Sequence, residues 1–172
     1  GTLDYGNIVV LQTDGKILIN GGQTDGFSNL YNFALVRLNT NGSLDNSFDG
    51  DGIRTYSAPD AFTSSGRGLA IQQDGKLIQT GESSAFGNYN GGANFIVIRY
   101  NTDGSLDNGF GNQGRSVIDF GNWTDGFNDG GSACAIQADG KIIVAGVSNN
   151  TLTSDNIAAT RLLVDGTLIT LT

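Results

Sequence analysis

The sequence predicts an all-β fold built from tandem four-stranded antiparallel units, and three observations support this. Short apolar runs alternate with turn residues, among them 27 glycines. Of the 17 acidic residues only Glu82 is a glutamate, and aspartate favours turns where glutamate favours helices. The motif Gln-x-Asp-Gly-Lys occurs at 12–16, 72–76 and 137–141, each time between apolar runs. This arrangement is a strong signal for a β-hairpin.

The hairpin motif belongs to a longer repeat. Arg37, Arg99 and Arg161 are spaced by 62 residues, and so are the turns at Asn41-Gly42, Asp103-Gly104 and Asp165-Gly166. A fixed period of this size determines the architecture, because each repeat is one unit of structure. We therefore interpret the chain as three copies of a small sheet.

Each copy has the same order of segments. Two strands flank the Asp-Gly turn, and the second of them ends at a glycine. A loop leads to a third strand, at 33–38, 95–100 or 157–162. A second turn then leads into the last strand of the unit, at 43–45, 105–107 or 167–169. Residues 53–56 and 116–120 fit either a fifth strand or an extended connection to the next unit.

The third strand predicts how the units pack. It is apolar at nearly every position, which is typical of a strand covered on both faces. Each sheet is therefore expected to lie between its neighbours, as in the blades of a β-propeller or the coils of a solenoid. The β-propeller-like arrangement is the main prediction, and an open β-solenoid or filament-like stack is the alternative.

The predicted domain is a single repeat array over residues 1–172. Its units are approximately 5–48, 66–110 and 131–169. Residues 1–4 are assigned to the end of a preceding unit, because Gly-Thr-Leu-Asp matches the Gly-Ser-Leu-Asp that ends the first two units. Propellers have about four to eight blades. Three units are therefore expected to be part of a longer array, or to complete a ring with other copies.

The combined motif resembles the bacterial delta-60 repeat, a β-propeller-like repeat of large secreted proteins. The motif comprises Gln-x-Asp-Gly-Lys, Phe-x-x-x-Arg and Asn-x-Asp-Gly-Ser-Leu-Asp-x-x-Phe-Gly, and the middle unit, roughly 66–120, matches it best. The first unit departs at Asn41 and Asp49, and the third at Ile169. The resemblance implies an architecture and an extracellular or cell-surface setting, and it implies no catalytic activity.

Composition restricts the partners and the chemistry. The net charge is −8, so nucleic acid and anionic membrane surfaces are disfavoured as partners. There is no histidine, the commonest general base, and with one cysteine no internal disulfide can form. No apolar stretch is long enough to insert into a membrane. Self-association or neighbouring repeats of a longer chain are the expected partners, with glycans as a further candidate.

Three sets of residues are predicted to have structural roles. The arginines that end the third strands are expected to pair with the Asp of the Ser-Leu-Asp segment or with an Asp-Gly turn, because an arginine in an apolar setting is usually paired. The lysines after the hairpin turns are expected to be exposed and to favour solubility. Cys134 stands where the other repeats have Val9 and Leu69, and it is expected to be a buried small hydrophobe.

Aspartates near the second turn form a candidate calcium site. Oxygen ligands spaced two residues apart around a glycine are typical of calcium loops. The candidate ligands are Asp45, Asp49, Asp51, Asp103 and Asp107. The distal bidentate glutamate of such loops is missing, and ordinary turns explain the same residues. No other cofactor is expected.

Aromatic residues in polar loops form a candidate glycan site. Trp123, Phe127 and Tyr89 lie in stretches rich in glycine and asparagine, as do Phe86 and Tyr31. Loops on a regular scaffold often carry binding residues. The alternative is that these aromatics fold back and cover the edges of the sheets.

The function predicted from the sequence is a non-catalytic repeat module of a secreted or cell-surface bacterial protein, with a structural or adhesive role. A lectin-like carbohydrate-binding module is the alternative. A glycoside hydrolase is a weaker one, because no pair of aspartates stands out as an acid and its partner.

Overall fold

The computed structural model describes residues 4–24, 31–58, 61–85, 93–120, 129–150 and 153–169. These residues form eleven β-strands and no helix. Accordingly, no helix long and apolar enough to cross a membrane occurs in these ranges. The all-β prediction is confirmed.

The strands form three antiparallel sheets in chain order. The first sheet contains β1 (Tyr5–Leu11), β2 (Ile17–Thr24), β3 (Tyr31–Leu38) and β4 (Ile53–Tyr56). The second contains β5 (Ala61–Ile71), β6 (Leu77–Ala85), β7 (Ala93–Tyr100) and β8 (Arg115–Ile118). The third contains β9 (Gly130–Ile136), β10 (Ile142–Asn150) and β11 (Thr153–Leu162).

The Asp-Gly hairpins join the first two strands of every sheet. In the first, the Gly15 amide donates to the Gln12 carbonyl at 2.9 Å, and Gly15 has a φ of +83°. Of the two residues in the Asp-Gly pair, only the glycine adopts a positive φ. Asp14 instead accepts the Lys16 amide on its side chain at 3.1 Å, which fixes the turn from outside.

The fourth strand is not the Ser-Leu-Asp segment predicted to end each unit. That segment makes a single bridge to the third strand in each copy, as between Leu38 and Leu44. The strands that pair with the outer edge of β3 and β7 are β4 and β8. The segments left open as a fifth strand or a connection are therefore the fourth strands of the first two sheets. The chain between 38 and 53 forms consecutive turns that return it to the sheet edge.

Two apolar cores hold the three sheets together. The first core lies between the first and second sheets and contains the buried side chains of Leu18, Phe33, Leu35, Ile96 and Ile98. The second lies between the second and third sheets. Its members include Ile78, Phe95, Val97, Ile142 and Val144. The second sheet is therefore covered on both sides, and the prediction that the units pack face against face is confirmed.

Burial of the third strand depends on its position in the stack. Every residue of β7 is buried, as predicted for a strand between two sheets. In β3 buried residues alternate with half-buried ones, and in β11 Ile157 is 94% exposed. The expectation that all three strands are covered on both faces is wrong for β3 and β11. Each lies in an outer sheet, one face of which has no neighbouring sheet in the described part of the chain.

Candidate functional site: charged clusters between the repeats

A charged cluster lies where β3 ends. Arg37 Nε donates to Asp45 Oδ2 at 2.6 Å, and Lys16 Nζ lies 2.8 Å from the same oxygen. Ser47 donates its hydroxyl to the other oxygen of Asp45 at 2.7 Å. The Arg37 and Asp45 side chains are each only 7% exposed. The carboxylate of Asp45 is thus paired with both cations, which meets the requirement that a buried charge be paired.

The same arginine reaches into the second sheet. Arg37 Nη1 donates to the Thr102 carbonyl at 2.5 Å, and its guanidinium carbon lies 4.6 Å from the centre of the Phe48 ring. Beside it, the Asp49 amide donates to the Asp103 carbonyl at 2.7 Å. The cluster therefore fastens the end of the first repeat to the second turn of the next.

The second repeat builds the same cluster toward the third sheet. Arg99 Nε lies 2.7 Å from Asp107 Oδ2, and Lys76 Nζ lies 2.8 Å from it. Arg99 Nη1 donates to the Val164 carbonyl at 2.5 Å, and its guanidinium carbon lies 4.7 Å from the centre of the Phe110 ring. Two copies with nearly equal distances indicate that the repeat sequence itself encodes this contact.

The two clusters lower the pKa of their carboxyl groups. For Asp45 the hydrogen bonds from Lys16 and Ser47 hold the pKa well below its ordinary value. For Asp107 burial raises the pKa, but the bonds from Lys76, the Gly109 amide and Arg99 outweigh it, and the net shift is downward. Both groups are therefore ionised at neutral pH. A carboxyl group held in this way is a poor general acid, because it does not carry a proton to donate.

The third repeat lacks a complete cluster. Ile169 stands in the place of Asp45 and Asp107, although its amide still donates to the Arg161 carbonyl at 3.0 Å as in the other copies. Lys141 pairs instead with Asp139 in its own turn, at 2.5 Å. The side chain of Arg161 is exposed and makes no hydrogen bond or ion pair with the described residues.

The predicted pairing of the arginines is therefore confirmed for Arg37 and Arg99 and does not extend to Arg161. The prediction that the lysines are simply exposed is wrong for Lys16 and Lys76, which complete the clusters. The signal available in the sequence was the constant presence of a lysine 29 or 31 residues before the aspartate. That separation is too long to suggest contact without the sheet register.

The five candidate calcium ligands do not converge. Asp45 and Asp107 belong to separate clusters, and Asp49 pairs with Arg54 at 3.2 Å. Asp51 accepts the Ile53 amide at 2.8 Å and Asp103 the Ser105 amide at 3.0 Å, as in ordinary turns. No group of three potential metal-ligating side chains occurs among the described residues. Calcium binding stays a prediction, to be tested by chelation.

The candidate glycan-binding residues Trp123, Phe127 and Tyr89 lie outside the described residues, as does Phe86. Of that set only Tyr31 is described, and its ring packs edge-on against Tyr5 with 5.1 Å between the ring centres. Tyr31 is therefore part of strand β3 and not of a loop, and its ring packs against a residue of β1, the edge strand of the same sheet. Cys134 is half-buried against the second core, and burial raises the pKa of its thiol to about 11.

Comparison with known proteins identifies a repeat family. The family described as "Domain of unknown function (DUF5122) beta-propeller" matches residues 12–48, 72–110 and 137–168, which together make up more than half of the chain. Each matched segment runs from the hairpin motif past the second turn, so the three segments contain Arg37, Arg99 and Arg161. Comparison with curated proteins gives no match. The family match confirms the β-propeller-like repeat implied by the resemblance.

Proposed function

Because the chain belongs to the DUF5122 β-propeller family, whose function is unknown, we propose its role from the use it makes of its charged residues. We propose a non-catalytic structural module, part of a secreted or cell-surface bacterial protein, that serves as a spacer or adhesive segment. The observation that carries the proposal is the bond from Arg37 to Thr102 and its copy from Arg99 to Val164. In both repeats, the best-placed charged groups are used to fasten one sheet to the next.

The non-catalytic part of the proposal is supported by the state of the carboxyl groups. Catalytic acids need a pKa raised toward neutral pH, by burial or by a neighbouring negative charge. Asp45, Asp103 and Asp107 all have pKa values shifted in the opposite direction. The Cys134 thiol is held protonated by burial, and the chain has no histidine to activate it.

The extracellular setting is supported by the resemblance to repeats of secreted proteins. The test is proteolysis of intact bacteria that produce the protein. Loss of the repeat module from intact cells, while a cytoplasmic marker persists, is the expected result. Protection of the module until the cells are lysed would contradict the setting.

The structural role predicts that the purified chain needs no ligand. We expect one cooperative thermal transition in chelator-containing buffer, no signal on a glycan array, and no turnover of chromogenic glycosides. A glycan signal abolished by Trp123→Ala, with an unchanged melting temperature for that variant, would replace the proposal with a lectin-like module. Turnover abolished by a single Asp→Asn change would replace it with a hydrolase.

A further inference from the structure

A cleft lies between the hairpin turns of the second and third repeats. It has a volume of about 330 Å³. Its polar wall belongs to the second repeat and consists of Gln72, Gln73 and Asp74. Its apolar wall belongs to the third repeat and consists of Ile136, Ala138 and Val164. The cleft therefore offers hydrogen-bond acceptors on one side and a surface for an aliphatic chain on the other.

The apolar wall is a departure of the third repeat from the other two. The first two repeats have a threonine at the position of Val164, and a threonine or a glutamine at that of Ala138. The Val164 side chain is 49% exposed, so it is not part of either core. Its carbonyl is held in place by the hydrogen bond from Arg99. An exposed apolar wall bordered by polar side chains is typical of an interaction site.

The polar side of the cleft contains acceptors that lack donors. Gln72 is only 8% exposed, yet its Oε1 has no hydrogen-bond partner in the described ranges of the chain. The Oε1 of Gln137, which also lines the cleft, is buried and unpaired in the same way. A buried acceptor without a donor is costly. Because the last torsion of a glutamine side chain is soft, Oε1 can turn toward a donor that enters the cleft.

Asp74 adds a negative charge that no described cation of the chain neutralises. Its Oδ1 accepts the Lys76 amide at 3.1 Å. The ammonium group of Lys76 lies 2.8 Å from Asp107 instead. In the third repeat, by contrast, Lys141 pairs with Asp139 of its own turn. The second oxygen of Asp74 is therefore available to a cation from outside the chain.

We propose that this cleft binds a lysine side chain of a partner polypeptide. The ammonium group donates to Asp74 and Gln72, and the aliphatic stem lies along Val164. Lysine fits better than arginine, because a guanidinium group favours two coplanar acceptors and Asp74 offers one oxygen. The net charge of −8 attracts a basic partner. The inference rests on the adhesive role proposed above and names the chemistry of its partner.

The probe is Nα-acetyl-lysine methylamide, a lysine residue without backbone charges, titrated into isotope-labelled chain and followed by NMR. We expect saturable shifts of the amide signals of Asp74 and Gly140, with a Kd of about 1–10 mM because the contacts are few. Nα-acetyl-norleucine methylamide keeps an aliphatic stem but lacks the ammonium group, and it should bind about fivefold more weakly. The corresponding arginine derivative should also bind more weakly, and high salt should weaken the binding of the lysine derivative.

Variants test whether the cleft is the site. Asp74→Asn retains an oxygen for the Lys76 amide and should weaken binding of the lysine derivative about fivefold. Asp14→Asn makes the same change in the hairpin turn of the first repeat, where Thr102 replaces the apolar wall, and should leave binding unchanged. Val164→Thr introduces the residue of the other repeats and should weaken binding about threefold.

Three outcomes of this titration would overturn the inference. They are the absence of a saturable shift, equal affinity for the norleucine or arginine derivative, and equal affinities of the Asp74→Asn and Asp14→Asn variants. Each of them leaves the structural role intact, because that role is tested separately by the thermal transition, the glycan array and the turnover assay.

Discussion

The ring of Phe48 lies over Gly104 of the next repeat. A β-carbon at Gly104 would come within 3.0 Å of two ring carbons, and Gly104 has a φ of +89°. The second contact of this kind places Phe110 against Gly166. The glycine of the second turn therefore serves two purposes, since it allows the turn and leaves space for the ring of the preceding repeat.

This contact predicts that Gly104→Ala destabilises the chain more than the same change in an open turn. The left-handed backbone costs about 1 kcal/mol for alanine, and displacing Phe48 adds about 1–2 kcal/mol. Gly42 is the matched control, because its φ is +83° and nothing lies within 4 Å of its β-position. Urea unfolding of both variants measures the difference. Equal losses would show that the Phe48 contact does not contribute to stability.

The cluster around Asp45 predicts that replacing this one carboxylate by an amide lowers the free energy of unfolding strongly. In Asp45→Asn, Arg37 and Lys16 lose the carboxylate that they share, and Arg37 stays buried. We expect a loss of about 3 kcal/mol in the free energy of unfolding. Asp14→Asn is the control, because Asp14 is exposed and an asparagine oxygen can accept the same amide. A loss no greater than that of the control would mean that the cluster does not stabilise the sheet interface.

The lowered pKa of Asp45 predicts a loss of stability in acid. A group with a folded pKa below its ordinary value of 3.8 contributes stability above that value, and the contribution is lost as the pH falls toward the folded pKa. Between about pH 4 and pH 2 the free energy of unfolding of wild type should fall more steeply than that of Asp45→Asn. The difference for one proton is up to about 1.4 kcal/mol per pH unit. Parallel curves in that range would contradict the assignment.

The fold could be predicted from the sequence because the same turns and apolar strands recur in all three repeats. The sequence also predicted the pairing of Arg37 with Asp45, since an arginine at the end of an apolar strand requires a counter-charge. It did not predict the role of Lys16, because a lysine beside a turn usually faces solvent. Its contact with Asp45 depends on the sheet register, which brings together residues 29 positions apart.

The fourth strand was missed for a different reason. Residues 53–56 have only two apolar side chains next to an arginine and a threonine, and they lie far along the chain from β3. The Ser-Leu-Asp segment is closer in sequence, and it was therefore the natural choice for the last strand. The position of each unit in the stack also cannot be predicted from the sequence of that unit. Ile157 and Phe95 are both large and apolar, yet one is exposed and the other buried.

The calcium hypothesis predicts that calcium raises the melting temperature. The contacts of the candidate ligands lead us to expect no such rise. Asp45 and Asp107 already bind two cationic side chains each, and Asp51 and Asp103 accept amides in their own turns. We expect the melting temperature in millimolar calcium to equal that in excess chelator. If calcium raised the melting temperature and magnesium did not, the result would support a calcium site. Asp49→Asn and Asp51→Asn would then identify which carboxylates bind the ion.

The buried amide of Gln79 connects the first two sheets, and its removal is predicted to lower the free energy of unfolding. Its Nε2 donates to Asn20 Oδ1 at 2.5 Å, and its Oε1 accepts the Tyr100 hydroxyl at 2.9 Å. Gln79→Leu leaves Asn20 and Tyr100 buried without these bonds, and we expect a loss of about 3 kcal/mol. Gln73→Leu, at an exposed position in the neighbouring turn, should change stability by less than about 0.5 kcal/mol.

A double variant separates the network from simple packing. If the loss in Gln79→Leu arises from polar groups left without partners, then adding Asn20→Leu removes one of those groups. The double variant should then lose at least about 1 kcal/mol less than the sum of the two single variants. Additive losses would mean that Asn20 and Gln79 act independently. The hydrogen bond between Gln79 and Asn20 would then add no stability to the interface between the first two sheets beyond what each residue contributes separately.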